Sequence, residues 1–130
     1  MKKIHNTFIS EELSKPIGPY THCGVVESSA NFLYSSGQIG IFNSGEFAGD
    51  DIKSQTKQTL ENLQTLLKSK GLSLNNVIKT TCYLTSMSNF NDFNEIYSQY
   101  FDENKPARTT VAVSGLPKNA LIEIELIAVY

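Results

Sequence analysis

The sequence predicts an α+β domain in which one mixed six-stranded sheet carries two helices packed on one face. Three observations lead there. Two stretches repeat apolar residues at three- and four-residue intervals, and six short runs are rich in β-branched and aromatic residues. The runs follow the order strands, helix, strand, helix, strand, strand. At 130 residues and 14.4 kDa the chain has the size of a single domain, 1–130, able to bury a core without disulfides or metals.

Each element has its own signal. Strands are expected at 4–8, 20–26 and 31–36. The first helix starts at Asp50 or Asp51, both good N-caps, and carries Ile52, Thr56, Leu60, Leu63 and Leu67 on one face until Gly71, a fitting stop. A strand follows at 77–84. The second helix begins near Ser88 and presents Phe90, Phe93, Ile96, Tyr97, Tyr100 and Phe101 before "DENKP" ends it. The last two strands are expected at 108–114 and 121–129. In the final one Ile122, Ile124 and Leu126 alternate with Glu123 and Glu125, while before it Val111 and Val113 alternate with Thr110 and Ala112. One face of the sheet therefore reads as oily and the other as half polar, which suits an interface between subunits. "GLSLNNVIK" and "GLPKNALIE" each lead from Gly-Leu into a strand, an echo too weak to make a repeat.

Composition excludes several classes of function. Hydrophobic content is 40% and charged content 18%, and no apolar run approaches the roughly 20 residues that span a bilayer. The start of the chain lacks the apolar stretch of a secretory signal, so a cytoplasmic location is expected and no membrane partner. A net charge of −2 and a pI near 5.6 argue against nucleic acid as a partner. Cys23 and Cys82 stand 59 positions apart without a Cys-x-x-Cys pair and read as packing thiols. His5 and His22 make neither a metal set nor a Cys-His nucleophile, and no phosphate loop or Gly-x-Ser-x-Gly elbow is present. No metal and no cofactor are expected.

Arg108 is the one arginine in a chain that otherwise uses lysine ten times. Its guanidinium can grip a carboxylate through two parallel hydrogen bonds, which a lysine ammonium cannot reproduce. Pro106 fixes the backbone before it and "TTVAV" anchors it after. A structural salt bridge to Glu123 or Glu125 is the competing reading. Those two glutamates share a face of the last strand, where apolar neighbours can fit a carboxyl for proton transfer; solvation or pairing with lysine is the bland alternative. Asn94 stands on the apolar stripe of its helix, where a buried amide needs partners. Tyr20 follows the tight turn of "IGP", and Ser36 with the amide of Gly37 can hold a small anion, although a β-bulge explains that glycine equally well.

Five motifs, "IGPY", "SSGQI", "VIKTTCYL", "PARTTVAV" and "GLPKNALIEIELIAV", occur in the order and spacing of the RidA (YjgF) family, which the chain resembles from residue 17 to its end. The resemblance implies a chorismate-mutase-like α+β fold and a homotrimer with inward-facing sheets and small-molecule clefts between subunits. In members that act as enamine/imine deaminases an arginine at the position of Arg108 binds the substrate carboxylate, and a glutamate matching Glu123 helps activate water. Tyr20, Ser36 and Asn94 match residues that line or support the cleft. Thr110 stands where many relatives have cysteine, and the contact made there is implied to come from the backbone. The implied ligand is a small 2-imino or 2-oxo acid, and the implied activity is that of a 2-iminobutanoate/2-iminopropanoate deaminase. A non-catalytic metabolite-binding regulator using the same clefts is the alternative. The endoribonuclease and translation-inhibitor labels carried by relatives find no basic, aromatic RNA platform here.

Overall fold

The computed structural model describes residues 4–130. Its order is β1 (His5–Phe8), β2 (Cys23–Val26), β3 (Phe32–Tyr34), α1 (Ile52–Lys68), β4 (Val77–Leu84), α2 (Phe90–Tyr100), β5 (Ala107–Ala112) and β6 (Ile122–Val129). Six strands and two helices are thus present as expected, in one α+β domain.

The strands pair as a four-stranded sheet, β3-β6-β4-β5, and a two-stranded one, β1-β2. β4 runs parallel to β5, as a β-α-β crossover through α2 requires, and antiparallel to β6. The expected continuous ladder of six narrows to one parallel bridge, Thr21 to Ala107, where β2 approaches β5. The reason lies in residues 17–22. Tyr20 sits in a turn closed by its own N–H on the Gly18 carbonyl, and Thr21 bonds the carbonyls of Pro106 and Lys105, so β2 regains regular pairing only at Cys23.

Asp51 caps α1, its carboxylate accepting the Ser54 N–H at 3.0 Å. The far end is capped at Ser69, two residues before Gly71 takes its left-handed φ of +76°. At the second helix the expected Ser88 cap is not made: Ser86 caps a 3-10 turn (Met87–Asn89) by accepting the Ser88 N–H, and α2 follows from Asn89 without a side-chain cap. Similar 3-10 turns at Leu74–Asn76 and Pro117–Asn119 lead into β4 and β6, which accounts for the echo in the sequence.

Both helices cover the same side of the sheet. Leu60, Leu63 and Leu67 of α1, Phe93 and Tyr97 of α2, and Cys82, Leu84, Ile122 and Ile124 of the strands are fully buried together. Phe93, Tyr97 and Phe101 follow one another with ring centroids 5.4 and 4.7 Å apart. Burial pushes the Cys82 thiol up to about 12, which leaves it an inert packing group.

The register corrects one expectation. Arg108 and Thr110 pair with Thr80 and Cys82, so they face the helices, whereas Val111 lies on the outer face and is exposed. β5 is an edge strand whose helix-side face is only partly roofed, and polar residues occupy the opening. The outer face holds Thr81, Tyr83, Glu123 and Glu125, with Tyr34 beside Ile127.

Candidate active site

Arg108 is the second residue of β5, two positions after buried Pro106, and its guanidinium points under α2. Four rings surround it, with centroids at 4.8 Å (Tyr97), 5.0 Å (Phe93), 5.3 Å (Tyr20) and 5.7 Å (Phe90). Three of those rings recur along one stripe of α2 because residues three and four apart share a helix face. Tyr97 is fixed further by a 2.8 Å hydrogen bond between its hydroxyl and that of Thr80. Burial lowers the Arg108 pKa from its ordinary value, yet a guanidinium remains charged.

No carboxylate pairs with Arg108 among the described residues, which removes the salt-bridge alternative; Glu123 and Glu125 lie across the sheet from it. The rings offset part of the burial cost, at about 0.5–2 kcal/mol each, but they do not satisfy N–H donors. Arg108 Nη1 is buried without a hydrogen-bond partner, as are Thr110 Oγ1 and Asn94 Oδ1. Asn94 lies on the inner stripe of α2, as its spacing suggested, and makes no cap. Gly18 brings its backbone against both: a Cβ there would stand 2.8 Å from Arg108 Nη2 and 3.4 Å from Asn94 Nδ2. These three buried groups thus share one corner of the molecule.

Beside that corner opens a cleft of about 160 Å³, lined by Ile17, Tyr20, Met87, Phe90, Arg108 and Thr110. At about 30 Å³ per water it holds a handful of non-hydrogen atoms. A small anion with a short apolar substituent matches its one charge and its apolar rim. Tyr20 is held at the mouth by its hydroxyl, which accepts the Ile17 N–H at 3.3 Å.

Glu123, Ser36 and Gly37 form a second cluster. The Glu123 carboxylate lies against Gly37, where a Cβ would meet Oε2 at 2.5 Å, and paired backbone bonds between Gln38 and Ile124 hold the strands together there. Ser36 and Gly37 are exposed. The bulge reading gives way to a close approach of backbone to carboxylate. One chain therefore brings Arg108, Tyr20, Asn94 and Thr110 together, and Glu123, Gly37 and Ser36 together, on opposite faces of the sheet. Sequence reasoning missed Ile17, Met87 and Phe90 as cleft residues. The helical spacing of Phe90 was visible, but the same spacing also describes an ordinary core face. Among the described residues no group of His, Cys, Asp or Glu could hold a metal ion, and no helix is long and apolar enough to cross a membrane.

The family model described as endoribonuclease L-PSP matches residues 10–130. A RutC family protein of Pyrococcus horikoshii is 51% identical over 129 residues, 98% of each chain. The human 2-iminobutanoate/2-iminopropanoate deaminase is 42% identical over 114 residues, covering 87% of this chain and 81% of its own. Among solved structures, Escherichia coli TdcF with bound serine superposes with a TM-score of 0.74 at 34% identity, covering 96% of this chain and 98% of that one.

Proposed function

The chain belongs to the RidA/YjgF family, also called L-PSP or RutC, and from that premise we propose that it is a 2-iminobutanoate/2-iminopropanoate deaminase. The family includes imine deaminases at about this level of identity, the human enzyme at 42% among them. The observation that carries the reading is the buried, unpartnered Nη1 of Arg108 beside the unpartnered Thr110 and Asn94 oxygens. A buried charge held by rings alone calls for an anion, and the cleft admits a small one.

In this reading Arg108 holds the carboxylate of a 2-imino acid through its fork of donors, and Tyr20, Phe90, Ile17 and Met87 take the short side chain. The reaction adds one water across C=N: R–C(=NH)–COO⁻ and H₂O give R–CO–COO⁻ and NH₃. Glu123 takes the proton of the attacking water and returns it to the leaving nitrogen. Because Glu123 and Arg108 occupy opposite faces of one sheet, Glu123 comes from a second copy of the chain, with Ser36 and the Gly37 amide beside it. A homotrimer with its clefts between subunits provides that arrangement. Apolar Phe32, Tyr34 and Val111, exposed on the same outer face as Glu123, are suited to self-association. Positioning and acid/base assistance of roughly 10²- to 10⁴-fold suffice for an imine that already hydrolyses in water.

The test generates 2-iminopropanoate and 2-iminobutanoate in situ and follows their loss by semicarbazide trapping. Wild type should accelerate the loss. Arg108→Ala should lose kcat/KM by roughly 10² or more, and Arg108→Lys should recover little of it, since an ammonium lacks the fork. Full activity in Arg108→Lys would defeat the carboxylate assignment. A wild type that binds 2-oxo acids without turnover would instead be a metabolite-binding regulator.

A further inference from the structure

Residues 9–16 link β1 to the "IGPY" turn without regular secondary structure, and residues 11–15 are exposed. Two hydrogen bonds tie this segment to the rest of the described chain, and both end on His22. The Ser10 N–H lies 3.0 Å from His22 Nδ1, and His22 Nε2 lies 2.8 Å from the Ser14 carbonyl. A backbone N–H can only donate and a carbonyl can only accept. The ring must therefore accept at Nδ1 and donate at Nε2, which fixes it as the neutral Nε2–H tautomer. No protonated imidazole can make both bonds, because its Nδ1 becomes a donor facing a donor.

What the segment leads into gives the latch its consequence. Immediately after it, Ile17 and Tyr20 line the Arg108 cleft, and Gly18 packs on the guanidinium. We propose that His22 is a positioning residue and pH-sensitive latch: neutral, it holds residues 9–16 and with them the Ile17–Tyr20 wall over Arg108, and gaining a proton it releases them. Histidine as a class changes charge between about pH 5 and 8, and that interval is the one to test. The charged groups of the latched loop are Glu11, Glu12 and Lys15, and Lys105 stands on the chain that the neighbouring Thr21 holds. β2 adds the Cys23 thiol, and β1 carries His5 at its far end, opposite Val26. The link from latch to ligand rests on the Arg108 cleft being the substrate site; the latch itself does not.

His22→Gln separates the two, because a glutamine amide offers one acceptor and one donor at similar spacing and does not titrate. Hydrogen exchange of residues 9–16, corrected for intrinsic rates, is read at about pH 7.5 and about pH 5.5. Wild type should lose protection by roughly tenfold on acidification, the worth of one or two hydrogen bonds, while His22→Gln stays level. In the deaminase assay, KM of wild type relative to His22→Gln should rise over the same interval with kcat little changed. The Ser10 amide resonance of wild type, followed by NMR, should move with the titration of the His22 ring, and this arm needs no variant. Equal pH dependence of loop protection in the two proteins, or a Ser10 amide indifferent to the His22 titration, overturns the latch. Absence of turnover with the exchange result intact would overturn the deaminase reading and leave the latch standing.

Discussion

The guanidinium of Arg108 meets four rings and, among the described residues, no carboxylate, and its Nη1 is buried without a partner. Arg108 stood out in the sequence because the chain uses arginine once; its surroundings did not. Phe93 and Tyr97 are core, as their spacing suggested, whereas Phe90 lines the cleft, and the same helix period covers both. His22 was set aside as a ligand or base, because nothing in a sequence says that both ring nitrogens will meet backbone groups 8 and 12 residues away. Gly37 offers a test at this scale. A Cβ there would press on Glu123 Oε2, the far end of a flexible side chain, so Gly37→Ala should move the carboxylate and leave the fold standing. Expected is a Tm within about 2 °C of wild type with kcat lowered about tenfold or more. A variant as active as wild type would show that the carboxylate position does not matter.

Among the elements, α1 was the most legible. Its cap, its apolar stripe and the glycine past its end are local features, and local features are what a sequence displays. The start of α2 was less so, because a 3-10 turn at Met87–Asn89, capped by Ser86, precedes it and α2 itself has no side-chain cap. β5 misled in its facing. Val111 and Val113 suggested the buried side by composition, but at an edge strand beside a cleft the inner face is polar and the valine is left outside. The cap of α1 carries its own pH dependence. Hydrogen bonds from the Ser54 backbone N–H and hydroxyl hold the Asp51 carboxyl below its ordinary value of 3.8. A depressed carboxyl contributes stability that is fully present above its unfolded pKa and is lost as pH falls through the folded one. Between about pH 5 and pH 2 wild type should therefore lose more Tm than Asp51→Asn, whose amide caps without titrating. Parallel curves would remove Asp51 from the acid sensitivity of the fold.

For the molecule as a whole, order and type of the strands could be read from residue patterns, whereas their division into a four-stranded and a two-stranded sheet could not. That division depends on Thr21 meeting carbonyls 84 and 85 positions away, a pairing no local pattern encodes. The separation of Arg108 and Glu123 onto opposite faces depends likewise on register. It yields a test of assembly by complementation. Arg108→Ala and Glu123→Gln proteins, each inactive alone, should regain activity when unfolded and refolded together. Random mixing at equal amounts in a closed ring gives about one quarter of clefts an intact arginine and an intact neighbouring glutamate. Recovery near that fraction supports shared sites, and none would place both residues' work within one chain. The single arginine has a last consequence, for observation rather than chemistry. In a chain with one guanidinium among 130 residues, the arginine side-chain signals in a nitrogen-15 spectrum come from one atom group. That group sits at the cleft. Occupancy, exchange and ring currents there can be followed on unmodified wild-type protein with no assignment problem and no background.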